Sequence, residues 1–165
     1  MRSVTNPLTQ AAKDVTQTVP IVMTTSTNPV AAGLVQSLAR PGGNVTGLTL
    51  DAGPEIVGKR LQLLKELVPR ISRVAVLAYG LDFEEKQSAE VAASKLGITL
   101  LFASHTPTQY ADAFGLIVRE HPGALLVPIS GPNFANRRLI VDFAATSRLP
   151  TMFSSREFVD LLSPV

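Results

Sequence analysis

Five short stretches of this chain gather side chains suited to recognising a small polar molecule. They are Thr24-Thr25-Ser26-Thr27-Asn28, Tyr79-Gly80, Ser104-His105, Ser130-Gly131-Pro132-Asn133 and Ser154-Ser155-Arg156. Each follows a short apolar run that reads as a strand. Four of the five carry small hydroxyls, and two precede a helix with a cap signal. Hydroxyls and the free N–H groups of a helix start are what a carboxylate or carbonyl solute needs. The candidate ligand-binding residues are therefore Thr24, Thr25, Ser26, Asn28, Tyr79, Ser130, Asn133 and Ser154. Ser, Thr and Asn at such points also act as ordinary N-caps, and spacing alone does not separate the two roles.

No arrangement for bond-breaking chemistry stands beside them. The chain has no Gly-x-Ser-x-Gly elbow, no Gly-x-x-x-x-Gly-Lys phosphate loop, no Gly-x-Gly-x-x-Gly and no His-Glu-x-x-His. Its two histidines, His105 and His121, each end an element and read as loop or capping residues. Asp82, Glu84 and Glu85 sit at the start of a helix, where carboxylates complement the helix dipole. Gly42-Gly43 precedes a strand, so it reads as a tight turn rather than a phosphate cradle. No cysteine is present, which excludes disulfides and thiolate chemistry. The expectation is a protein that is not an enzyme, with no catalytic residue, no metal site and no cofactor.

The elements that position these residues alternate. Asn6-Pro7 is a cap-then-proline signal, and Leu8, Ala11, Ala12 and Val15 share one helical face. Pro20 to Thr24 reads as a strand. Asn28-Pro29 repeats the cap signal ahead of a helix through Ala31, Leu34, Val35 and Leu38. Val45 to Leu50 is a strand, Asp51 to Pro54 breaks the pattern, and Val57, Leu61, Leu64 and Val68 mark the next helix. Arg73 to Tyr79 is a buried strand. Glu84 to Leu96 is a helix stopped by Gly97, and Ile98 to Ser104 is a strand. Thr106 with Gln109 makes a capping-box candidate before the stripe Tyr110, Ala113, Phe114, Ile117 and Val118. Ala124 to Ile129 is a strand. A helix from about Asn133 buries Leu139, Ile140, Phe143 and Ala144, and Pro150 to Ser154 is a last strand. Strands apolar on both faces, separated by helices, predict doubly wound α/β architecture with parallel sheets. Ligands in such sheets bind beyond the carboxyl ends of the strands, where the five polar stretches lie.

Composition agrees with that class. The 165 residues are 45% hydrophobic and 17% charged, with a net charge of +2. So small an excess, spread along the chain, gives no reason to expect a nucleic-acid partner. No apolar run reaches the ~18 residues of a membrane span, so direct membrane insertion is not expected. Met1 to Pro7 shows neither an apolar h-region nor a cleavage site, and reads as no signal peptide.

Longer phrases carry a family resemblance. They are Pro20 to Thr24, Asn28 to Val35 and Leu38-Ala39-Arg40-Pro41-Gly42-Gly43-Asn44-Val45-Thr46-Gly47, then Gly58 to Leu61 and Leu63 to Pro69. Gly123 to Val127, Arg137-Arg138 and Ser155 to Val159 continue the series. Together they resemble the substrate-binding proteins of ABC importers, in the type I periplasmic-binding-protein branch linked to aromatic amino acids such as tryptophan. The resemblance implies two α/β lobes closing on a small solute, an amino acid among the options, in an interlobe cleft. It implies ABC permease subunits as partners and a periplasmic location. It implies a remnant of the first lobe over 1–50, a crossover or hinge over 51–58 with Thr46 and Gly47 leading into it, a near-complete second lobe over 59–154, and the start of a return crossover over 155–165. A chain with so little of one wall is expected to bind solute weakly or not at all. Many members carry Asn-Pro after the strand that ends at Tyr79, where this chain has Gly80-Leu81-Asp82. The alternative is the ligand-sensing core of a transcriptional regulator with the same fold, although the segment before Leu8 leaves no room for a helix-turn-helix.

Overall fold

The computed structural model describes residues 5–26, 28–49, 55–79 and 83–162. Thr27, the Asp51–Pro54 break, Gly80, Leu81 and Asp82, with the side chains of Glu84 and Glu85, lie outside the described residues. The chain divides into two compact units, Met1–Ile56 and Val57–Val165.

In the first unit, helix α1 (Thr5–Val15) precedes strands β1 (Ile21–Met23) and β2 (Val45–Gly47). The strands pair in parallel, Val22 opposite Thr46. Met23, Leu34, Val35 and Val45 form the core, with Ile21 packed against it. Two expectations fail here. The segment after Asn28-Pro29 forms successive turns rather than an α-helix. The amides of Ala32 and Leu34 bond the carbonyls of Asn28 and Pro29, but Asn28 has φ 45° and Gly33 φ 68°, so left-handed residues bracket the turns. The α1 stripe is also misplaced: Leu8 and Val15 are 68% and 87% exposed, while Thr9 is buried. The buried side of α1 is the one that can satisfy loop polar groups. Asn6 lies within the helix rather than capping it, and its Oδ1 accepts the Ser26 hydroxyl at 2.6 Å. Lys13 Nζ donates to the Gly33 carbonyl at 2.6 Å.

The second unit is built from α2 (Glu55–Leu67), β3 (Arg73–Ala78), α3 (Phe83–Lys95), β4 (Thr99–Ser104), α4 (Ala111–Glu120), β5 (Ala124–Val127), α5 (Gly131–Ala135), α6 (Arg137–Ser147), β6 (Thr151–Phe153) and α7 (Arg156–Val159). Its sheet is parallel, in the order β4-β3-β5-β6. Strand periodicity divides the core cleanly. Val74, Val76, Ala124 and Leu126 face Leu61 and Leu64 of α2 and Ala93 of α3. Ala75, Leu77, Leu125 and Val127 face Ala113 and Ile117 of α4, Ile140 and Ala144 of α6, and Phe158 of α7. Helices on both faces explain why β3 and β5 read as continuous apolar runs. The connection from β3 goes outward to β4, and the next returns across β3 to β5. The switch point of the sheet therefore lies between β3 and β5.

Three smaller expectations are corrected. Thr106 and Gln109 do not cap α4, which starts at Ala111 after Tyr110. They close their own turn, Gln109 N–H donating to Thr106 Oγ1 at 3.2 Å. Leu139 is exposed and Val141 takes its place in the core, because a short helix, α5, occupies 131–135 and α6 restarts at Arg137 with its own phase. Val118 is also exposed, at the outer edge of the α4 stripe.

Candidate functional site

In sheet order, the carboxyl ends of β4, β3, β5 and β6 carry His105, Tyr79, Ser130 and Ser154, spread along one end of the sheet. The β3–β4 ladder runs to Ala78 opposite Ser104, and the His105 amide extends it by bonding the Ala78 carbonyl at 3.1 Å. That sets the Tyr79 and His105 rings side by side, centroids 5.6 Å apart. The 106–109 turn then folds the chain back, so that Tyr110 stacks on His105 at 4.1 Å and 24°. Phe114, one turn further along, lies 5.7 Å from Tyr110 and stacks on Phe143 at 3.9 Å. A file of rings therefore leads from the strand ends into the core.

Beside the rings, the β5 end is a closed polar knot. Ser130 caps α5, its Oγ accepting the Asn133 amide at 3.1 Å. Asn133 is fully buried. Its Nδ2 donates to the carbonyls of Pro128 at 3.0 Å and Leu77 at 3.4 Å, and its Oδ1 accepts the Tyr110 hydroxyl at 3.3 Å. The side chain thus ties the ends of β3 and β5 together at the switch point and holds Tyr110 in its stack. Burial pushes the Tyr110 hydroxyl above its ordinary value of 10.0, opposed in part by a hydrogen bond with Asn136. At the β6 end, Ser154 Oγ donates to the Val127 carbonyl at 2.8 Å. Beyond it Ser155 donates to exposed Glu157, which lowers that carboxyl.

The first-unit residues are placed separately. Thr24 is exposed at the end of β1 and Thr25 is half-buried. Ser26 is fully buried, donating to Asn6, and its carbonyl accepts the Thr49 hydroxyl at 3.1 Å. Asn28 Oδ1 accepts the Ala31 amide at 3.3 Å. Thr46 is exposed on β2, and Gly47 (φ 145°) lies so close to β1 that a Cβ would meet the Met23 carbonyl. An open depression of about 440 Å³ lies against α1, lined by Gln10, Asp14 and Ala32 among others. Gln10 and Asp14 bond each other there at 2.7 Å.

The sequence places His105 in one of the strand-end stretches but reads its ring as a loop or capping residue, and reads Tyr110 as a member of the apolar stripe, so neither stands among the candidate binding residues. The available signal was a His at a strand end five residues ahead of a Tyr, with a turn between. Among the described residues no group of three His, Cys, Asp or Glu is placed to hold a metal ion, and no helix is long and apolar enough to cross a membrane.

The family model described as ABC transporter substrate binding protein matches residues 3–161. A tyrosine-binding protein of Clostridioides difficile (strain R20291) is 42% identical over 79 residues, covering 46% of this chain and 21% of the relative. A crystal structure of a conserved domain protein from Vibrio cholerae O1 biovar El Tor str. N16961 superposes with a TM-score of 0.76 at 28% identity, covering 94% of this chain and 53% of that one. The structure of an ABC domain in complex with L-Trp from Streptococcus pneumoniae gives 0.75 at 24% identity, with the same 94% and 53% coverage. The chain thus spans about half the length of these solved structures.

Proposed function

The chain belongs to the ABC transporter substrate-binding protein family, and on that premise we propose that its Val57–Val165 unit contributes a recognition surface for an aromatic amino acid. The observation that carries this reading is the shelf of Tyr79, His105 and Tyr110 at the switch point of a parallel sheet, with Ser130 and Ser154 at the neighbouring strand ends. Parallel sheets offer ligands that crevice. Flat rings stack on an aromatic side chain with a gain of ~0.5–1.5 kcal/mol beyond area burial. The name of the tyrosine-binding relative supports the same ligand class.

The roles divide by accessibility. Half-buried Tyr79 stacks on the solute ring. Half-buried Ser154 is the hydroxyl assigned to the α-carboxylate side, where its oxygen can still accept, and buried Ser130 supports it by capping α5. Asn133, whose amide is spent on the Leu77 and Pro128 carbonyls, is a positioning residue that holds Tyr110. In the first unit, Thr24, Thr25, Ser26 and Asn28 form the corresponding strand-end loop. Delivery to ABC permease subunits in an extracytoplasmic compartment, with no bond made or broken, completes the reading. Because the chain spans about half the length of the solved structures, its own affinity is expected to be modest, with Kd on the order of 1 mM.

The chain contains no tryptophan, so indole emission reports only on added L-tryptophan. Titrating protein into L-tryptophan should give a saturable blue shift that L-tyrosine competes away and glycine does not. An emission spectrum unchanged at millimolar protein overturns the assignment.

A further inference from the structure

Among the described residues, the buried side-chain polar atom that lacks a hydrogen-bond partner is Nε2 of His105. The other ring nitrogen fixes the chemistry. Nδ1 lies 2.8 Å from the Thr106 carbonyl oxygen. A carbonyl only accepts, so Nδ1 carries the proton, and in that tautomer Nε2 is the ring's acceptor. Leaving a buried acceptor unsatisfied is costly, and folded proteins rarely do so without a functional reason. The ring carrying it sits in an aromatic stack: Tyr110 lies on one face of the imidazole and Tyr79 is tilted beside it. The neighbouring polar side chains are spent elsewhere: the Tyr110 hydroxyl donates to Asn133 Oδ1, and both Asn133 Nδ2 hydrogens go to the Leu77 and Pro128 carbonyls.

We infer that His105 Nε2 is a specificity-determining acceptor for a neutral donor on the ring of the bound solute, a phenol O–H or an indole N–H. This rests on the aromatic amino acid reading above and sharpens it: the site should prefer tyrosine or tryptophan to phenylalanine. A neutral donor suits an apolar, solvent-excluded acceptor better than an ammonium, whose desolvation is far more expensive. A site built around an unpaired polar group also penalises the analogue that lacks the complementary group. Because Nε2 is closed to solvent, the donor enters by displacing a covering side chain. Tyr79, just past the last paired residue of β3, is the neighbour outside the ladder.

The test compares L-tyrosine with L-phenylalanine, which differ only in the hydroxyl, on the full chain and on His105→Phe, which keeps a ring in the stack without the acceptor. Nitrogen NMR of histidine-labelled protein provides a direct readout of each imidazole nitrogen. The expected result has four parts. The free protein shows a proton on Nδ1 and none on Nε2. L-tyrosine binds at least about tenfold more tightly than L-phenylalanine. The Nε2 resonance moves with L-tyrosine alone. His105→Phe binds the two equally. Equal binding of both amino acids by the unaltered protein, or an Nε2 resonance indifferent to L-tyrosine, overturns the role of His105 and leaves the aromatic site standing. Binding of neither overturns both readings. Should His105→Phe fail to fold, the ligand comparison and the nitrogen spectrum of the unaltered protein decide the matter.

Discussion

At the scale of single residues, buried polar groups do the positioning. Asn133 is the clearest case, since its amide serves two carbonyls and one hydroxyl from three different segments. Asn133→Ala strands all three, and unfolding in urea should show a loss of about 1–3 kcal/mol. Tyr110 gives a pH test. Its folded value lies above that of the unfolded chain, so the native state holds the proton longer. The associated stability is fully present below about pH 10 and is lost as pH rises through the higher folded value. The chain has two tyrosines, so an absorbance titration of Tyr79→Phe reports Tyr110 alone. Its midpoint should lie above 10, and a midpoint at or below 10 contradicts the burial described here. Gly47 is constrained by backbone instead. At φ 145°, with the Met23 carbonyl where a Cβ would stand, Gly47→Ala should destabilise the β1–β2 pair by more than about 1 kcal/mol in a thermal melt.

At the scale of elements, the sequence pattern was readable where burial was two-sided and misleading where it was one-sided. Strands β3 and β5, buried on both faces, were plain from their unbroken apolar runs. Helix α2 showed its face because Leu61 and Leu64 meet a complete sheet. In α1 the apolar periodicity points to Leu8 and Val15, yet the packed side is Asn6, Thr9 and Lys13: Thr9 is buried, Asn6 accepts the Ser26 hydroxyl, and Lys13 donates to the Gly33 carbonyl of a turn that no spacing rule reveals. The same limit applies to the candidate site. Asn133 looked like a capping or ligand residue, and only the folded sheet shows its amide reaching back to Leu77. The stack of His105 on Tyr110 depends on the 106–109 turn, which resembled a helix cap in the sequence. These differences are measurable. Val15→Thr should change stability by less than ~0.5 kcal/mol, whereas Ile140→Ala, in the core beneath β5, should cost about 2–5 kcal/mol. Comparable losses for the two would contradict the packing.

At the scale of the whole chain, the two units differ in how they protect their strands. In the Val57–Val165 unit, β3 has a strand on each side and helices on both faces. Among the described residues of the Met1–Ile56 unit, β1 and β2 pair only with each other, and Val22 is 70% exposed. Amide hydrogen exchange should therefore be slowest in β3 and β5 and markedly faster in β1 and β2. The proposed recognition surface sits on the better protected unit, where a rigid sheet can hold ring geometry within narrow limits. If the strand ends of this unit take an aromatic amino acid, an amide and side-chain NMR titration of the labelled chain with L-tyrosine should give weak, saturable shifts confined to Tyr79, His105, Tyr110, Ser130 and their neighbours. Shifts absent at the solubility limit of L-tyrosine, or centred on other residues, would contradict that reading.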